Sequence, residues 1–517
     1  MKKKGIALML ILSMLGLAAC DATPAATTAS NTATQAATTV VTEATEATDP
    51  PEPDDGSLKF YYDDRISFAD LGGTETSTVT VLEQAVESRK VGSNQPDDAV
   101  LFYDESGHQF IAVGVGTATV DVDGTQVLVR VRTAPISLFM ITGSSSGSGQ
   151  CGNGAQSVMC EAGQAYSCYK TATFTGATND MGLGYGSAVR PQGIDAFMPG
   201  GGGTLGEGSA MAWKWNQLTG EKVWVLNAAV GGSVIPEWHK GQMYYEPAVS
   251  MYRAATHVLK NESAAGHYIL KNTAVIYHSG GNFEYKKVEF TDEIMEYWYD
   301  SLYYGLLEDL AVDIDGDEKK ETLQALAFLP GRSVQLSGKY PNDQPINYYM
   351  ALSDKYPGCF MATNTVRSWA SVELLVNFPD IDYTTQSEPV EKPRSKEELI
   401  AEDGVHFLQV AYNAVGLSIG ENLYAHFRNQ PKTASFTVFT PDGRTVKDTL
   451  KLRKVGTTQT LVVESEPYYA CDFTIELSSN LELCSPFTVK VTAAGEGYIK
   501  FSRNGQVLHT ITVTVGS

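Results

Sequence analysis

The chain has 517 residues, 43% of them hydrophobic and 19% charged, with 60 acidic side chains against 38 basic ones and a formal net charge of −22. Such a surplus of negative charge excludes a protein built to grip a phosphate backbone, so no nucleic-acid partner is expected and a neutral or glycan partner fits better. Once a leader and a low-complexity stretch are set aside, about 460 residues remain, too many for one core and enough for about three domains.

Residues 1–20 carry Lys2, Lys3 and Lys4, then a largely apolar run from Ile6 to Leu17, then small residues before Cys20, which is the order of an export signal. The stretch Leu17-Ala18-Ala19-Cys20 resembles the lipobox of bacterial lipoproteins. That resemblance implies cleavage before Cys20, acylation of the cysteine, and an anchor on the outer face of a bacterial membrane, because two or more acyl chains hold where one is marginal. No other apolar run is long enough to span a bilayer. Residues 21–56 are almost wholly Ala, Thr, Pro and acidic residues, which bury too little apolar surface to offset chain entropy, so a disordered stalk is expected.

From 57 to 134 short runs alternate apolar and polar residues, as in Thr78-Val79-Thr80-Val81, and Asp123-Gly124 offers a two-residue hairpin turn. The pattern predicts a small β-sandwich, and the stretch from Phe110 to Val131 resembles bacterial Ig-like domains. From 135 to 430 the pattern changes. Continuous apolar runs (Ile136–Ile141, Val223–Leu226, Ala274–Tyr277, Leu323–Leu329, Cys359–Ala362) alternate with amphipathic stretches at Glu207–Leu218, Phe290–Leu310, Asn347–Lys355 and Phe407–Phe427. This predicts an α/β domain with a doubly wound, mostly parallel, flavodoxin-like sheet covered on both faces. Such sheets bind ligands beyond the carboxyl ends of their strands. Residues 431–517 return to alternation, with Asn504-Gly505 as a turn, and predict a second β-sandwich.

Outside the leader stand Cys151, Cys160, Cys168, Cys359, Cys471 and Cys484. In an oxidising compartment they could pair, Cys471 with Cys484 being the easiest local candidate. None has the close spacing of a zinc knuckle, so no metal is expected. Asp313-Ile314-Asp315-Gly316-Asp317 has acidic spacing but no correctly placed glutamate, and reads as a solvated turn.

Four segments carry chemistry. Gly143-Ser144-Ser145-Ser146-Gly147 follows the first strand, where a serine on a tight glycine-flanked turn can be presented as a nucleophile. Val223 to Trp238 runs from buried strand into Gly231-Gly232, whose amides can approach a developing oxyanion. His278-Ser279-Gly280-Gly281-Asn282 follows another strand, and Asp403-Gly404-Val405-His406 precedes the last helix of the region. At that spacing Asp403 can fix the His406 tautomer and His406 can take a serine proton, although Asp403 could instead simply cap the helix.

The block with Asn227, Gly231, Gly232 and Trp238 closely resembles the second block of the sialate O-acetylesterase family, a branch of the SGNH hydrolases that includes acetylxylan esterases. The D-x-x-H pair and the Gly280/Asn282 block resemble the remaining SGNH blocks, while Ser144-Ser145-Ser146 and Ser279-Gly280-Gly281 depart from the sialate branch. The resemblance implies a serine esterase acting on O-acetylated glycan, with Ser145, His406 and Asp403 catalytic, Gly231, Gly232 and Asn282 in the oxyanion hole, and Trp238 and His278 against substrate. It implies no cofactor. Ser144 and Ser146 stay open as alternative nucleophiles. The rival is a non-catalytic glycan-binding or adhesion lipoprotein on a degenerate hydrolase fold, and a lipase or peptidase reading of Gly143–Gly147 fits the block order less well.

Overall fold

The computed structural model describes residues 55–88, 99–169, 206–279, 302–330, 358–363, 391–428 and 435–516, apart from short interruptions within these ranges. Gly56–Ser517 form one compact unit of mixed α/β character with several sheets and few helices. The expected leader, Cys20 and nearly all of the expected stalk lie outside the described residues, as do Asn282 and the Asn347–Lys355 stretch. Among the described residues no helix is long and apolar enough to cross a membrane.

The unit opens with β1 (Leu58–Tyr61), β2 (Arg65–Ile66), β3 (Val79–Val86), β4 (Leu101–Asp104), β5 (Gln109–Ala112), β6 (Gly116–Val122) and β7 (Thr125–Arg132). They form two sheets, β1-β7-β6-β3 and β2-β5-β4. Every second residue of β6 is buried, as a pleated strand with one dry face requires. Ala118, Val120 and Val122 thereby share one core with Ile66, Leu101 and Phe110 of the other sheet. Asp123 and Gly124 link β6 to β7 with φ values of 52° and 87°, the left-handed pair that a tight hairpin demands.

The central sheet has the order β13-β12-β11-β8-β10-β9 and is parallel at every pairing. Its strands are β8 (Ala134–Gly143), β9 (Ala165–Tyr169), β10 (Lys222–Asn227), β11 (Tyr268–Ser279), β12 (Ala325–Pro330) and β13 (Cys359–Met361). Apart from the edge strand β9, its strands carry continuous apolar runs because both faces are covered. Phe139, Ile141, Val223 and Val225 pack under Met211 and Trp215 of α1 (Gly208–Thr219) and Val415 and Ile419 of α3 (Gln409–Phe427). Their neighbours Leu138, Met140, Trp224 and Leu226 point the other way, onto Ala248, Tyr252 and Leu259 of α2 (Tyr245–Ala264). The chain leaves β8 to one side for β9 and β10 and returns on the other side as β11. The carboxyl ends of β8, β10 and β11 therefore flank the point where the winding reverses.

Two polar clusters lock these layers. The buried Glu221 carboxylate accepts from Ser137 Oγ (2.7 Å), Trp215 Nε1 (3.1 Å), Asn272 Nδ2 (2.9 Å) and Arg428 (2.5 Å), tying three strands to α1 and the end of α3. At the amino-terminal rim, Lys222 Nζ reaches Asp64 at 2.7 Å and the Gly163 carbonyl, while Tyr166 donates to Asp63. The β1–β7 region is thus docked on the rim opposite the carboxyl ends of the strands.

His426 stacks on Phe360 with ring centroids 4.3 Å apart. Burial pushes its imidazole down to about 4 from an ordinary 6.5. The unfolded chain therefore binds the proton first, and stability present above pH 6.5 is lost as the pH falls towards about 4. Melting temperature should decline through that window, and His426→Phe, which keeps a stacked ring, should flatten the decline. An unchanged slope in the variant would contradict this account.

Residues 435–515 form three further sheets. The largest pairs Thr449–Leu452, Gln506–Val515, Gly495–Arg503 and Phe473–Leu477, and buries Leu450, Ile499, Phe501, Ile511 and Val513. Cys484 is a free thiol that donates to the Thr488 carbonyl at 3.4 Å, rather than half of a local disulfide, and Cys471 lies outside the described residues.

Candidate active site

The central strand β8 ends at Gly143 with φ +107°, and a Cβ there would sit 2.2 Å from the His278 carbonyl oxygen. Only glycine lets the chain turn so close to β11. The turn that follows is pinned on all sides. Ser144 N–H donates to the His278 carbonyl (2.9 Å), Gln150 N–H to the Ser145 carbonyl (3.1 Å), and Asn227 Nδ2 to the Gly147 carbonyl (3.0 Å). Val230 N–H and Ser233 Oγ both donate to the Gly143 carbonyl at 2.8 Å. Ser145 is held at the carboxyl end of the sheet, 6% exposed.

The D-x-x-H segment lies in a narrow loop ahead of α3. Ala401 N–H donates to the His406 carbonyl (2.8 Å) and Leu408 N–H to the Leu399 carbonyl (2.9 Å), and Gly404 turns the chain with φ +66°. Asp403 does not cap α3, whose cap position is Leu408. Its Oδ1 instead accepts the His406 backbone N–H at 3.0 Å, and its Oδ2 accepts His406 Nδ1–H at 2.5 Å. Because a carboxylate can only accept, the neutral imidazole carries its proton on Nδ1 and leaves Nε2 as acceptor. Ser145 Oγ–H donates to that Nε2 at 2.8 Å. Ser144 Oγ turns to the His278 carbonyl instead. Three groups up to 261 positions apart in sequence therefore form one chain of hydrogen bonds.

Gly231 faces this chain. A Cβ on it would stand 3.7 Å from Ser145 Cβ and 3.6 Å from Gln150 Oε1, so the Gly231 backbone comes close to the serine. Gly232 follows with φ +77° in open space. Asn227 clamps the serine turn and accepts Ala229 N–H.

Two sequence-based expectations need correction. Trp238 is fully buried, its Nε1–H donating to Ser233 Oγ, which itself donates to the Gly143 carbonyl. It braces the serine turn from beneath and offers no face to a sugar. His278 is likewise fully buried, with Nδ1–H donating to Glu207 Oε1 at 2.8 Å behind the turn, so it does not touch substrate.

Sequence reasoning missed Glu207 and Cys151. Glu207 marks the start of α1, and nothing in the linear pattern pairs it with His278. Cys151 is exposed and donates from Sγ to Asp403 Oδ2 at 3.7 Å. Desolvation, then the Asp403 charge, pushes its thiol above the ordinary range, which keeps it protonated and uncharged beside the carboxylate. Asp403 is 40% exposed on its side chain, so this end of the site is wet while Ser145 and His406 are nearly dry.

No family model matches the chain, and no curated protein does. Slight likenesses occur among solved structures. A protein from Arabidopsis thaliana has 14% identity over 57% of this chain and 98% of its own, with a TM-score of 0.30. A carbohydrate acetylesterase from Xanthomonas citri has 12% identity over 88% of this chain and 94% of its own, with a TM-score of 0.32. Both likenesses are too slight to bear on how this site works.

Proposed function

We propose that the protein is a serine esterase that removes O-acetyl groups from carbohydrate, held outside a bacterial cell by a lipid on Cys20. What carries the reading is the continuous Asp403–His406–Ser145 hydrogen-bond chain at the carboxyl end of a parallel sheet. The six strands β8–β13 would be the doubly wound sheet of an SGNH hydrolase. Residues 57–134 would be a bacterial Ig-like sandwich and 431–517 a second one.

Ser145 Oγ attacks the acetyl carbonyl while its proton passes to His406 Nε2, and Asp403 stabilises the imidazolium. His406 then protonates the departing sugar oxygen, leaving an acetyl-serine. Water, deprotonated by His406, attacks that ester and releases acetate. Amides around Ser145, Gly231 and Gly232, with the Asn282 side chain, would hold the oxyanion. The strongly negative chain suits a neutral glycan better than an acidic one.

Incubation with a chromogenic acetyl ester and a fluorophosphonate tests this. Turnover should fall in proportion to labelling, with the mass shift on the peptide carrying Ser145. Turnover that survives full exposure to the reagent would refute the acyl-enzyme. Neither turnover nor labelling would leave a glycan-binding surface protein as the better description.

A further inference from the structure

Cys151 closes the outer end of the triad. Its Sγ, an Asp403 carboxylate oxygen and a His406 ring nitrogen all lie within 4.8 Å of one another. Thiolate, imidazole and carboxylate form a donor set that suits zinc and its softer relative cadmium. Bonds of about 2.3 Å to sulfur and about 2.0–2.2 Å to nitrogen and oxygen place such donors roughly 3–4 Å apart. The Cys151–Asp403 separation of 3.7 Å already meets this. The 2.5 Å Asp403–His406 contact must open slightly, and the 40% exposed Asp403 side chain has solvent to turn into. Water can fill a fourth position, since both Cys151 and Asp403 border solvent.

We propose that this flank binds one zinc-like divalent cation through Cys151, Asp403 and His406 Nδ1, and that binding switches the hydrolytic site off by reversing the His406 tautomer. The thiol loses its proton to solvent as the metal–sulfur bond forms. The cation takes the Nδ1 lone pair, and the single imidazole proton moves to Nε2. There it donates towards Ser145 Oγ instead of accepting from it, so the serine keeps its proton and cannot attack. The cation-binding half stands on the donor geometry alone, while the inhibitory half rests on the esterase reading.

Cadmium is the probe, because its bond to thiolate absorbs in the ultraviolet independently of turnover. The comparison uses the full chain carrying Cys484→Ser, which removes the other exposed described thiol, with and without Cys151→Ser. A stoichiometric cadmium–thiolate band should appear in the first protein and vanish in the second. Zinc should inhibit acetyl ester hydrolysis reversibly on chelation, and Cys151→Ser should weaken that inhibition at least about tenfold, a loss that even outer-shell changes bring. An equal band in both proteins, or equal inhibition, would overturn the proposal. A band lost with Cys151 in a protein that hydrolyses no ester would keep the cation site and retire the esterase reading.

Discussion

Replacing Ser145 with alanine is expected to lower kcat for acetyl ester hydrolysis by about 10^4-fold or more, with KM little changed and the melting temperature preserved. Ser145 Oγ is the serine oxygen that reaches His406 Nε2, at 2.8 Å, whereas Ser144 Oγ is turned to the His278 carbonyl. The turn itself hangs on backbone groups and on Asn227 and Ser233, none of which loses a partner when one hydroxyl is removed. His406→Ala should cost a similar factor. The double variant should be hardly worse than either single one, because a nucleophile without its base and a base without its nucleophile are equally idle. Steady-state kinetics on the three variants decides it. If Ser144→Ala loses as much activity as Ser145→Ala, the assignment of the nucleophile is wrong.

Glu207→Ala is expected to destabilise the chain by about 3–5 kcal/mol, the cost of stranding one partner of a buried charge-bearing pair. Glu207 and His278 are both fully buried and 2.8 Å apart. Among the described residues Glu207 Oε2 and His278 Nε2 have no hydrogen-bond partner, so truncating either residue orphans the side chain of its mate. The His278 backbone also carries the serine turn through Ser144, so kcat should fall along with stability. Replacing the pair together, Glu207→Leu with His278→Phe, should restore most of the stability, since it removes both polar groups rather than orphaning one. Urea unfolding of the singles and the double reports this directly. Singles within about 1 kcal/mol of the parent chain would mean that the contact is not a structural tie.

The apolar runs were the most legible part of the sequence. Ile136–Ile141, Val223–Leu226 and Ala274–Tyr277 lie within β8, β10 and β11, because strands covered on both faces need unbroken apolar stretches. The stretch Glu207–Leu218 differs from α1 by one residue at each end, and Gly220 stops that helix with φ 69°. α2 went unread, although Ala248, Tyr252, Ala255 and Leu259 repeat at helical spacing, because Pro247 and scattered polar residues mask the stripe. Strand β9 was missed as well, being a short edge strand whose Ala165-Tyr166-Ser167 lacks a continuous apolar signature.

At the site, what could be read was whatever acts through neighbours in the chain. Asp403 and His406 sit three positions apart, and a narrow loop is enough to join them. Trp238 and His278 misled because residue type and position after a strand say nothing about which side of the backbone a side chain takes. Both point down into the support beneath the serine rather than up to solvent. Cys151 and Glu207 meet their partners only through tertiary folding, 252 and 71 positions away respectively, so no local pattern could announce them.

α1 and α3, which cover one face of the sheet together, pack very closely. Gly416 and Gly420 of α3 lie so close to α1 that a Cβ on them would meet the Glu207 carbonyl oxygen at 2.2 Å and Lys214 Cβ at 2.8 Å. α3 is the last element of the central region to leave the ribosome, and the loop bearing His406 leaves just ahead of it. A growing chain thus carries Ser145 long before Asp403 and His406 are made, and the hydrogen-bond chain that joins them forms only once that last segment seats.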